Sequence, residues 1–599
     1  MLVREARRAV GAVILAFFIA SPAPAEYRPK VSAVGGTLVI NGRSAVRFRA
    51  PNAGISPADR ARITAERVRA LIDRNVSPYS IFAKGTRYQA RVMAGENLIC
   101  IATARDARLG RTSPLALAGS WAANVRALLL MPPIVLSDRQ LTVPLGESRT
   151  VVVSGAATGP ISAKTDRAEI ATCEPGTEGR YVRITGRQVG QATVTIEVEG
   201  ESAQVNVFVK KYAGGVPGSA FAEVTGRPCP AALVEYAASQ AALRGAVVEP
   251  GARAAVERIE GADTPLGERM TRPVKVRVAI KGPGYIDYSN ICVVETHNSS
   301  MDPDRPQQLF YSNEPERFTK YQELFSGRLE TDKSVRVLYH HQNAVGKSAR
   351  LLVELVNPGA SLGVFRVFKG SCAPLFDTVL VGYIAGAGFL RNQLSNASVI
   401  ERLPARSRLI LVSDLLANME TSSGILQVRQ ISGEAAYLRI AAVPPEIEPS
   451  PVGAVVPAPE TVAPQLSEHV YSAPSKTLEA EYVVGKQWAF IPIGRHAIDS
   501  HDARRKLDGN YGVTYEIKVR VANPSDRERK VQVLFDPSAG LASGVFMIDG
   551  SFVSAKYARP PNEVPLATYR LKPGEVRDVH IVTLPLAGSN YPATLVVRS

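Results

Sequence analysis

Residues 513–524 read VTYEIKVRVANP, and residues 351–358 read LLVELVNP. In the first stretch apolar side chains alternate with polar ones, as in a β-strand with one face in a core and the other in solvent. Both stretches end in Asn-Pro, where proline ends the strand because it has no N–H to donate to a neighbour. Each is followed by a polar loop and a second strand-like stretch, VQVLF at 531–535 and VFRVF at 364–368. The pattern predicts an internal duplication of β-sandwich modules.

A second β-rich region covers residues 134–211, where short strand candidates recur at the spacing typical of sandwiches. Residues 192–198 and 203–209 alternate apolar and polar side chains on either side of a tight turn at Gly200 and Glu201. This arrangement predicts an antiparallel hairpin with one buried face.

Three stretches of this region carry a family resemblance: residues 143–149 (VPLGESR), 184–187 (ITGR) and 189–196 (VGQATVTI). Together they resemble bacterial Ig-like domains and the N-terminal β-domain of pilus-assembly secretins. Such domains act as spacers and adhesion modules, so the resemblance implies an architecture and brings no functional residue with it. The later modules are similar to exported bacterial multidomain β-sandwich proteins, and that similarity implies no particular activity.

The region before the sandwiches has a mixed α/β pattern. Ser56 followed by Pro57 predicts the start of a helix, because serine caps a helix N-terminus and proline suits its first turn. A second helix is predicted from Pro114 to Leu130, capped by Ser113, with strand pairs in between. Residues 59–62 (DRAR) and 102–107 (ATARDA), with the helix that follows, resemble a small module found at the N-terminus of other exported or membrane-associated bacterial proteins, which implies no catalytic residue.

The fold class predicted from these patterns is mainly β, with several Ig-like or fibronectin-like β-sandwich modules preceded by a small α/β domain. Seven prolines within residues 444–464 predict an extended, polyproline-type spacer between the duplicated modules. The predicted organisation is a signal peptide (1–25), the small α/β domain (26–132), an Ig-like β-sandwich (133–212), a helix-containing lead-in (213–272), a β-sandwich domain (273–443), a Pro-rich linker (444–475) and a C-terminal β-sandwich domain (476–599).

The N-terminus has the features of an export signal. Arg4, Arg7 and Arg8 precede an apolar run from Ala9 to Ala20, and Ala23-Pro24-Ala25 has the small-residue pattern of a cleavage site. Twelve apolar residues are too few for a comfortable membrane span. We therefore expect cleavage after Ala25 and a secreted or periplasmic protein with no transmembrane anchor.

The whole sequence has a formal net charge of +16 and five widely spaced cysteines without a C-x-x-C motif. The charge favours acidic partners such as anionic glycans, anionic lipid or nucleic acid. Because no run of Lys and Arg interleaved with aromatic residues is evident, we interpret the charge as dispersed and expect no specific nucleic-acid binding. The cysteines are compatible either with one or two disulfides or with five separate buried thiols.

The sequence contains no G-x-S-x-G, H-E-x-x-H, Walker A, G-x-G-x-x-G or EF-hand motif. We therefore predict no catalytic residue, no cofactor and no metal site. The adjacent His340 and His341 would point to opposite faces of a strand and could not easily share a metal ion. Two loops rich in oxygen ligands give a possible ligand-binding site, since carboxylates and an aromatic ring suit Ca²⁺ or a sugar. Its residues are Asp302, Asp304, Tyr311, Asn313, Glu314 and Glu316.

The functional hypothesis that these observations favour is an exported, non-catalytic structural or binding protein of the cell envelope. Its expected partners are envelope polysaccharide or other envelope proteins. One alternative is a secreted carbohydrate-active hydrolase with a site built from loops, because an all-β scaffold does not exclude one. Another is an accessory component of a secretion or pilus assembly.

Overall fold

The protein is described here by a computed structural model that covers residues 27–446, 453–461, 467–472 and 474–599. The predicted signal peptide lies outside the described residues. The structure is 52% strand and 14% helix, and the prediction of a mainly β, multidomain fold is confirmed. The chain forms two compact units: one ends at Tyr212 and also includes Gly284–Ile286, and the other contains the remaining residues.

The first unit begins with a module of two three-stranded antiparallel sheets and three helices. One sheet contains β1–β3 and the other β4–β6; α1 packs on β1, β2 and β6, and α3 packs on β3–β6. The elements are β1 (Val31–Val34), β2 (Thr37–Ile40), β3 (Arg43–Arg47), α1 (Pro57–Asp73), β4 (Ile81–Gly85), β5 (Gln89–Ala94), β6 (Asn97–Thr103), α2 (Ala104–Leu109) and α3 (Pro114–Leu129).

The helix starts predicted for this module are confirmed. Ser56 accepts a hydrogen bond from the backbone of Asp59, and Ser113 caps α3 in the same way. A buried ion pair joins α1 to α2, where Arg60 Nη2 lies 2.9 Å from Asp106 Oδ2. Asp106 also accepts hydrogen bonds from two backbone amides, those of Arg49 and Ala50. The module is therefore held together by a satisfied polar network beside its apolar core.

The second module of this unit is a β-sandwich of two four-stranded sheets, with the orders β10-β13-β14-β8 and β11-β12-β9-β7. The predicted hairpin is present, since Val198 pairs with Glu201 and the buried residues Val194, Ile196 and Val205 lie in the core between the sheets. The strands are β7 (Val135–Leu136), β8 (Gln140–Pro144), β9 (Ser148–Ser154), β10 (Ile161–Thr165), β11 (Ala171–Pro175), β12 (Tyr181–Gly186), β13 (Gly190–Val198) and β14 (Glu201–Lys210).

The second unit is built on one large sheet with the order β18-β19-β20-β16-β27-β26-β29-β24-β21-β32, in which β22 also pairs with β24. Its elements up to the Pro-rich segment are β15 (Gly214–Gly215), β16 (Ser219–Thr225), α4 (Ala231–Gly245), β17 (Val247–Val248), β18 (Arg253–Glu260), β19 (Thr271–Lys281), β20 (Tyr288–Ser299), β21 (Gln308–Ser312), β22 (Arg317–Phe318), β23 (Gln322–Leu329), β24 (Ser334–Asn343), β25 (Ala349–Asn357), β26 (Gly363–Ser371), α5 (Thr378–Leu394), β27 (Ser398–Leu403), β28 (Ser407–Leu416), β29 (Thr421–Ser432) and β30 (Ala436–Val443).

Two of the remaining strands, β31 and β32, add to the sheets of the first sandwich in this unit, and most of the others form a second, C-terminal sandwich. The remaining strands are β31 (Val455–Pro457), β32 (Val470–Ser472), β33 (Ser475–Val483), β34 (Ala489–Ile493), β35 (Ile498–Asp499), β36 (Lys506–Leu507), β37 (Thr514–Ala522), β38 (Arg529–Asp536), β39 (Ala542–Ile548), β40 (Ser551–Ala558), β41 (Val564–Leu571), β42 (Val576–Thr583) and β43 (Ala593–Arg598). Sheet β23-β30-β25-β28-β31 covers one face of the large sheet, and the C-terminal sandwich pairs β33-β37-β42-β39-β40 with β34-β43-β38-β41.

Residues 213–272 are not a separate lead-in, because β16 and β18 lie in the same sheet as the strands that follow them. These pairings join segments distant in sequence, which local patterns do not reveal. A second correction is α5, a helix inside the predicted β-sandwich. Asp377 caps it by accepting hydrogen bonds from Val379 and Leu380, and its apolar side chains pack on β26 and β29. No helix in the described parts of the chain is long and apolar enough to cross a membrane.

The Pro-rich segment is not a free spacer in its described parts. Val455–Pro457 pairs with β28, and Val470–Ser472 pairs with β21. A proline-rich chain is already extended, so it can pair with the unoccupied edge of a sheet through its remaining N–H and C=O groups. The C-terminal sandwich also shares one apolar core with α5 and with side chains of the large sheet such as Leu338. The two sandwiches are therefore fused rather than held apart.

Three buried asparagines, Asn343, Asn357 and Asn523, tie the sheets of these sandwiches together at their ends. In each case Nδ2 donates to the carbonyl oxygen four residues later and to two successive carbonyl oxygens at the end of a facing strand, while Oδ1 accepts the N–H two residues later. The facing carbonyls belong to Leu416 and Ala417, to Leu403 and Pro404, and to Leu571 and Lys572, at 2.9–3.2 Å. We call each such arrangement an asparagine corner.

Two of the corners fall at the Asn-Pro positions that suggested the duplication. In each corner the strand that ends in asparagine passes to the other sheet, and the facing strand passes back beside it. One asparagine side chain therefore joins two chain segments at the point where each passes from one sheet to the other. Asn343 makes the same hydrogen bonds without a following proline, so the corner depends on the asparagine and not on the dipeptide.

Candidate functional site

The first two predicted ligand residues, Asp302 and Asp304, lie just before β21 and contact buried side chains. Arg366 Nη1 donates to the carbonyl oxygen of Asp302 at 2.7 Å, and Gln427 Nε2 donates to that of Asp304 at 2.9 Å. Burial lowers the pKa of the Arg366 guanidinium to about 10, and the Asp304 carboxylate partly offsets this effect. The backbone carbonyls of Asp302 and Asp304 therefore accept hydrogen bonds from buried side chains of the large sheet.

Tyr311 lies on β21 and is almost fully buried. Its ring packs edge-on against Tyr471 with the ring centres 6.1 Å apart, and its hydroxyl accepts a hydrogen bond from Asn313. Burial raises the pKa of Tyr311. A ring in this position has no free face for a sugar, so the stacking role predicted for Tyr311 does not fit the structure.

The two predicted glutamates lie after β21, at the opposite end of this strand from Asp302 and Asp304. Glu314 forms an ion pair with Arg505, and the carbonyl oxygen of Glu316 accepts a hydrogen bond from the backbone of Gln342. A five-residue strand spans roughly 16 Å. The structure therefore does not gather the six predicted residues into one site.

The adjacent histidines lie on β24 and are both buried. His341 makes hydrogen bonds through both ring nitrogens, to the Ser312 hydroxyl at 2.8 Å and to the Pro315 carbonyl at 2.9 Å, whereas neither ring nitrogen of His340 has a hydrogen-bond partner among the described residues. Burial lowers the pKa of His340 to about 3 and that of His341 to about 4. Both imidazoles are therefore neutral at physiological pH. Among the described residues, no group of three His, Cys, Asp or Glu side chains is arranged to hold a metal ion.

A pocket of about 320 Å³ lies between α4, α5 and the strands β26, β27 and β28. Apolar side chains line most of it, and its polar side chains include those of Tyr236, Lys369, Asn392 and Glu401. Its size falls at the lower end of the range for small-molecule sites. The sequence did not point to this pocket because its residues are spread over nearly two hundred positions.

The charges in the pocket are unequally paired. Glu401 forms an ion pair with Arg244 at 2.6 Å, whereas Lys369 Nζ donates to the carbonyl oxygen of Leu411 at 2.8 Å and forms no ion pair with any described residue. Burial lowers the pKa of Lys369, and the carboxylates of Asp414 and Glu401 partly offset this. The pocket has one carboxylate, which is already neutralised, and therefore lacks the two free carboxylates that glycoside hydrolysis requires.

Residues 37–130, within the first module, match a family described as a domain of unknown function (DUF8459). A comparison with curated proteins finds no match. The family match therefore concerns the small α/β module and assigns no activity to it.

Solved structures similar to this chain include tandem β-sandwich domains. Domains 4 and 5 of the S-layer protein SbsC share 20% identity over 21% of this chain and 66% of that chain, with a TM-score of 0.13. The insect immune protein hemolin shares 12% identity over 33% of this chain and 63% of that chain, with a TM-score of 0.16. A tandem of titin Ig domains shares 10% identity over 28% of this chain and 98% of that chain, with a TM-score of 0.12. At these identities and TM-scores the likeness carries no functional argument.

Proposed function

We propose that this chain is an exported, non-catalytic protein of the bacterial cell envelope that binds envelope polysaccharide or other envelope proteins through the surfaces of its modules. The observation that carries the proposal is that buried polar side chains in the second unit form hydrogen bonds to the backbone of the scaffold. The three asparagine corners and Arg366 hold backbone carbonyls where sheets and loops meet. Such polar groups stiffen a scaffold instead of converging on a substrate.

Export rests on the first 25 residues, whose basic start, apolar run and Ala-Pro-Ala exit have the form of a cleaved signal. The similarity to pilus-assembly secretins remains a prediction from residues 143–196, and an accessory role in such an assembly would show as co-purification with an outer-membrane complex.

The test is expression of the full chain with a C-terminal tag in a bacterial host, followed by fractionation and mass measurement. The proposal expects a chain that starts at Glu26 and sediments with the envelope or is found outside the cells. An unprocessed chain in the cytoplasmic fraction would contradict it. A matched control replaces the apolar run of residues 9–20 by polar residues, which should keep the protein unprocessed and inside.

A further inference from the structure

The positive charge of the protein is concentrated in its first module. Residues 27–130 contain seventeen Lys or Arg and five Asp or Glu, a net charge of +12 out of +16 for the whole sequence. The interpretation of the charge as dispersed is therefore wrong at the level of modules. The net charge of the whole sequence does not reveal this concentration, because the remaining modules are close to neutral.

Little of this charge is neutralised inside the module. Four of the five acidic side chains are occupied by three arginines, Arg28, Arg60 and Arg62. Twelve of the seventeen cations are exposed and form no ion pair with any described residue. A surface with so many free cations raises the local concentration of anions.

The hairpin of β4 and β5 gathers three of these cations with exposed aromatic rings. Lys84 pairs directly with Arg91, and two residues earlier Phe82 pairs with Met93 on the same outward face. The opposite face, which includes Ala83 and Val92, packs against the core beneath α3. Cross-strand pairing thus places side chains next to each other that are seven positions apart in the sequence.

The turn of the hairpin adds another cation and another exposed aromatic ring. Arg87 stacks over the ring of Tyr88, with the guanidinium carbon 4.9 Å from the ring centre, and donates a hydrogen bond to its hydroxyl. Tyr88 is 67% exposed and Phe82 is 42% exposed, so both rings are accessible from solvent. We define the basic hairpin face as Phe82, Lys84, Arg87, Tyr88 and Arg91.

We infer that the basic hairpin face binds an anionic polysaccharide, a linear polymer of sugar rings that carry carboxylate groups. Charge complementarity supplies the attraction, because Lys84, Arg87 and Arg91 are free cations. Successive outward side chains on one strand are about 7 Å apart, so Phe82 and Lys84 place a ring and a cation next to each other on the exposed face of β4. The exposed rings of Phe82 and Tyr88 can pack on the apolar faces of sugars.

The choice of a polysaccharide over nucleic acid rests on the proposed export, since the polyanions outside a bacterial cell are chiefly glycans. The binding itself is measured on purified protein, so a negative result there leaves the fractionation result standing, and a cytoplasmic chain leaves the binding result standing. The two proposals therefore fail separately.

The test is titration of polygalacturonate into residues 26–599, at low and high salt, with two variants of equal net charge. The face variant is Lys84→Gln/Arg87→Gln/Arg91→Gln. The control variant, Arg43→Gln/Arg74→Gln/Arg111→Gln, removes three exposed cations elsewhere in the module. At low salt the face variant should lose about 100-fold in affinity, from about fivefold per charge, and the control should lose less than about threefold.

Equal losses in the two variants would overturn the assignment to this face, because they would reduce binding to overall charge. Polyglutamate, which has carboxylates without sugar rings, should bind more weakly than polygalacturonate, and Phe82→Ser/Tyr88→Ser should remove this difference. Equal binding of the two polymers by the unmodified chain, or tighter binding of single-stranded DNA or of anionic lipid vesicles, would overturn the assignment to a polysaccharide. Unchanged thermal unfolding midpoints check that each variant remains folded.

Discussion

Replacing Asn523 by alanine should destabilise the C-terminal sandwich by about 3 kcal/mol. The side chain is 1% exposed, and its two N–H bonds are shared among three carbonyl oxygens at 2.9–3.0 Å while Oδ1 accepts the N–H of Ser525. Two donors and one acceptor at about 1 kcal/mol each, net of water, give that figure. Asn523→Asp should cost more than alanine, because a carboxylate turned toward carbonyl oxygens repels them.

The sequence offers a convenient probe for this measurement, since it contains only two tryptophans and Trp488 lies in the C-terminal sandwich. In a Trp121→Phe background, urea unfolding followed by Trp488 fluorescence reports on that sandwich. Asn562, which is exposed and uses only its backbone in a hydrogen bond, gives the matched control, and Asn562→Ala should change the free energy of unfolding by less than about 0.5 kcal/mol. A loss below about 1 kcal/mol for Asn523→Ala, or a tolerated aspartate, would refute the corner as a source of stability.

Three further predictions concern buried ionisable groups. Burial lowers the pKa values of His340 and His341 below the unfolded value near 6.5, so the stability that the two neutral imidazoles contribute is complete above that pH and is lost as the pH falls. At pH 5 each histidine should cost about 2 kcal/mol of the free energy of unfolding. His340→Gln should therefore reduce the fall of the urea midpoint between pH 7 and pH 5, and an unchanged fall in this variant would contradict the prediction. Asp106→Asn breaks the buried pair with Arg60 and should cost the first module about 3–5 kcal/mol by thermal unfolding, whereas a midpoint within error of the parent would show the pair to be dispensable. Lys369→Met removes a buried cation without an ion pair and should raise the unfolding temperature; a lowered temperature would mean that the lysine stabilises the pocket.

The fold class and several local elements could be predicted because they depend on short patterns. Ser56-Pro57 predicts the start of α1, and the alternation in residues 513–522 predicts β37 within one or two residues. Asn357 and Asn523 lie at the Asn-Pro positions from which the duplication was predicted, and the duplication itself stays a prediction. The proline explains why the strand ends, but the asparagine side chain explains why the sheets stay joined there.

What the sequence did not reveal depends on pairings between distant segments. The strand β16 reaches the large sheet only by pairing with β20 and β27, and the Pro-rich segment completes sheet edges whose positions are set elsewhere. The same holds for sites. Lys84 and Arg91 form no run in the sequence, and they become neighbours only when the hairpin closes.

The most direct test of the central claim is co-sedimentation of residues 26–599 with purified cell-wall sacculi and surface polysaccharide, at low and high salt. The account predicts retention at low salt that high salt weakens, and loss of retention when Lys84, Arg87 and Arg91 are replaced by glutamine. Absence of sedimentation at both salt concentrations, or undiminished retention of that variant, would contradict it.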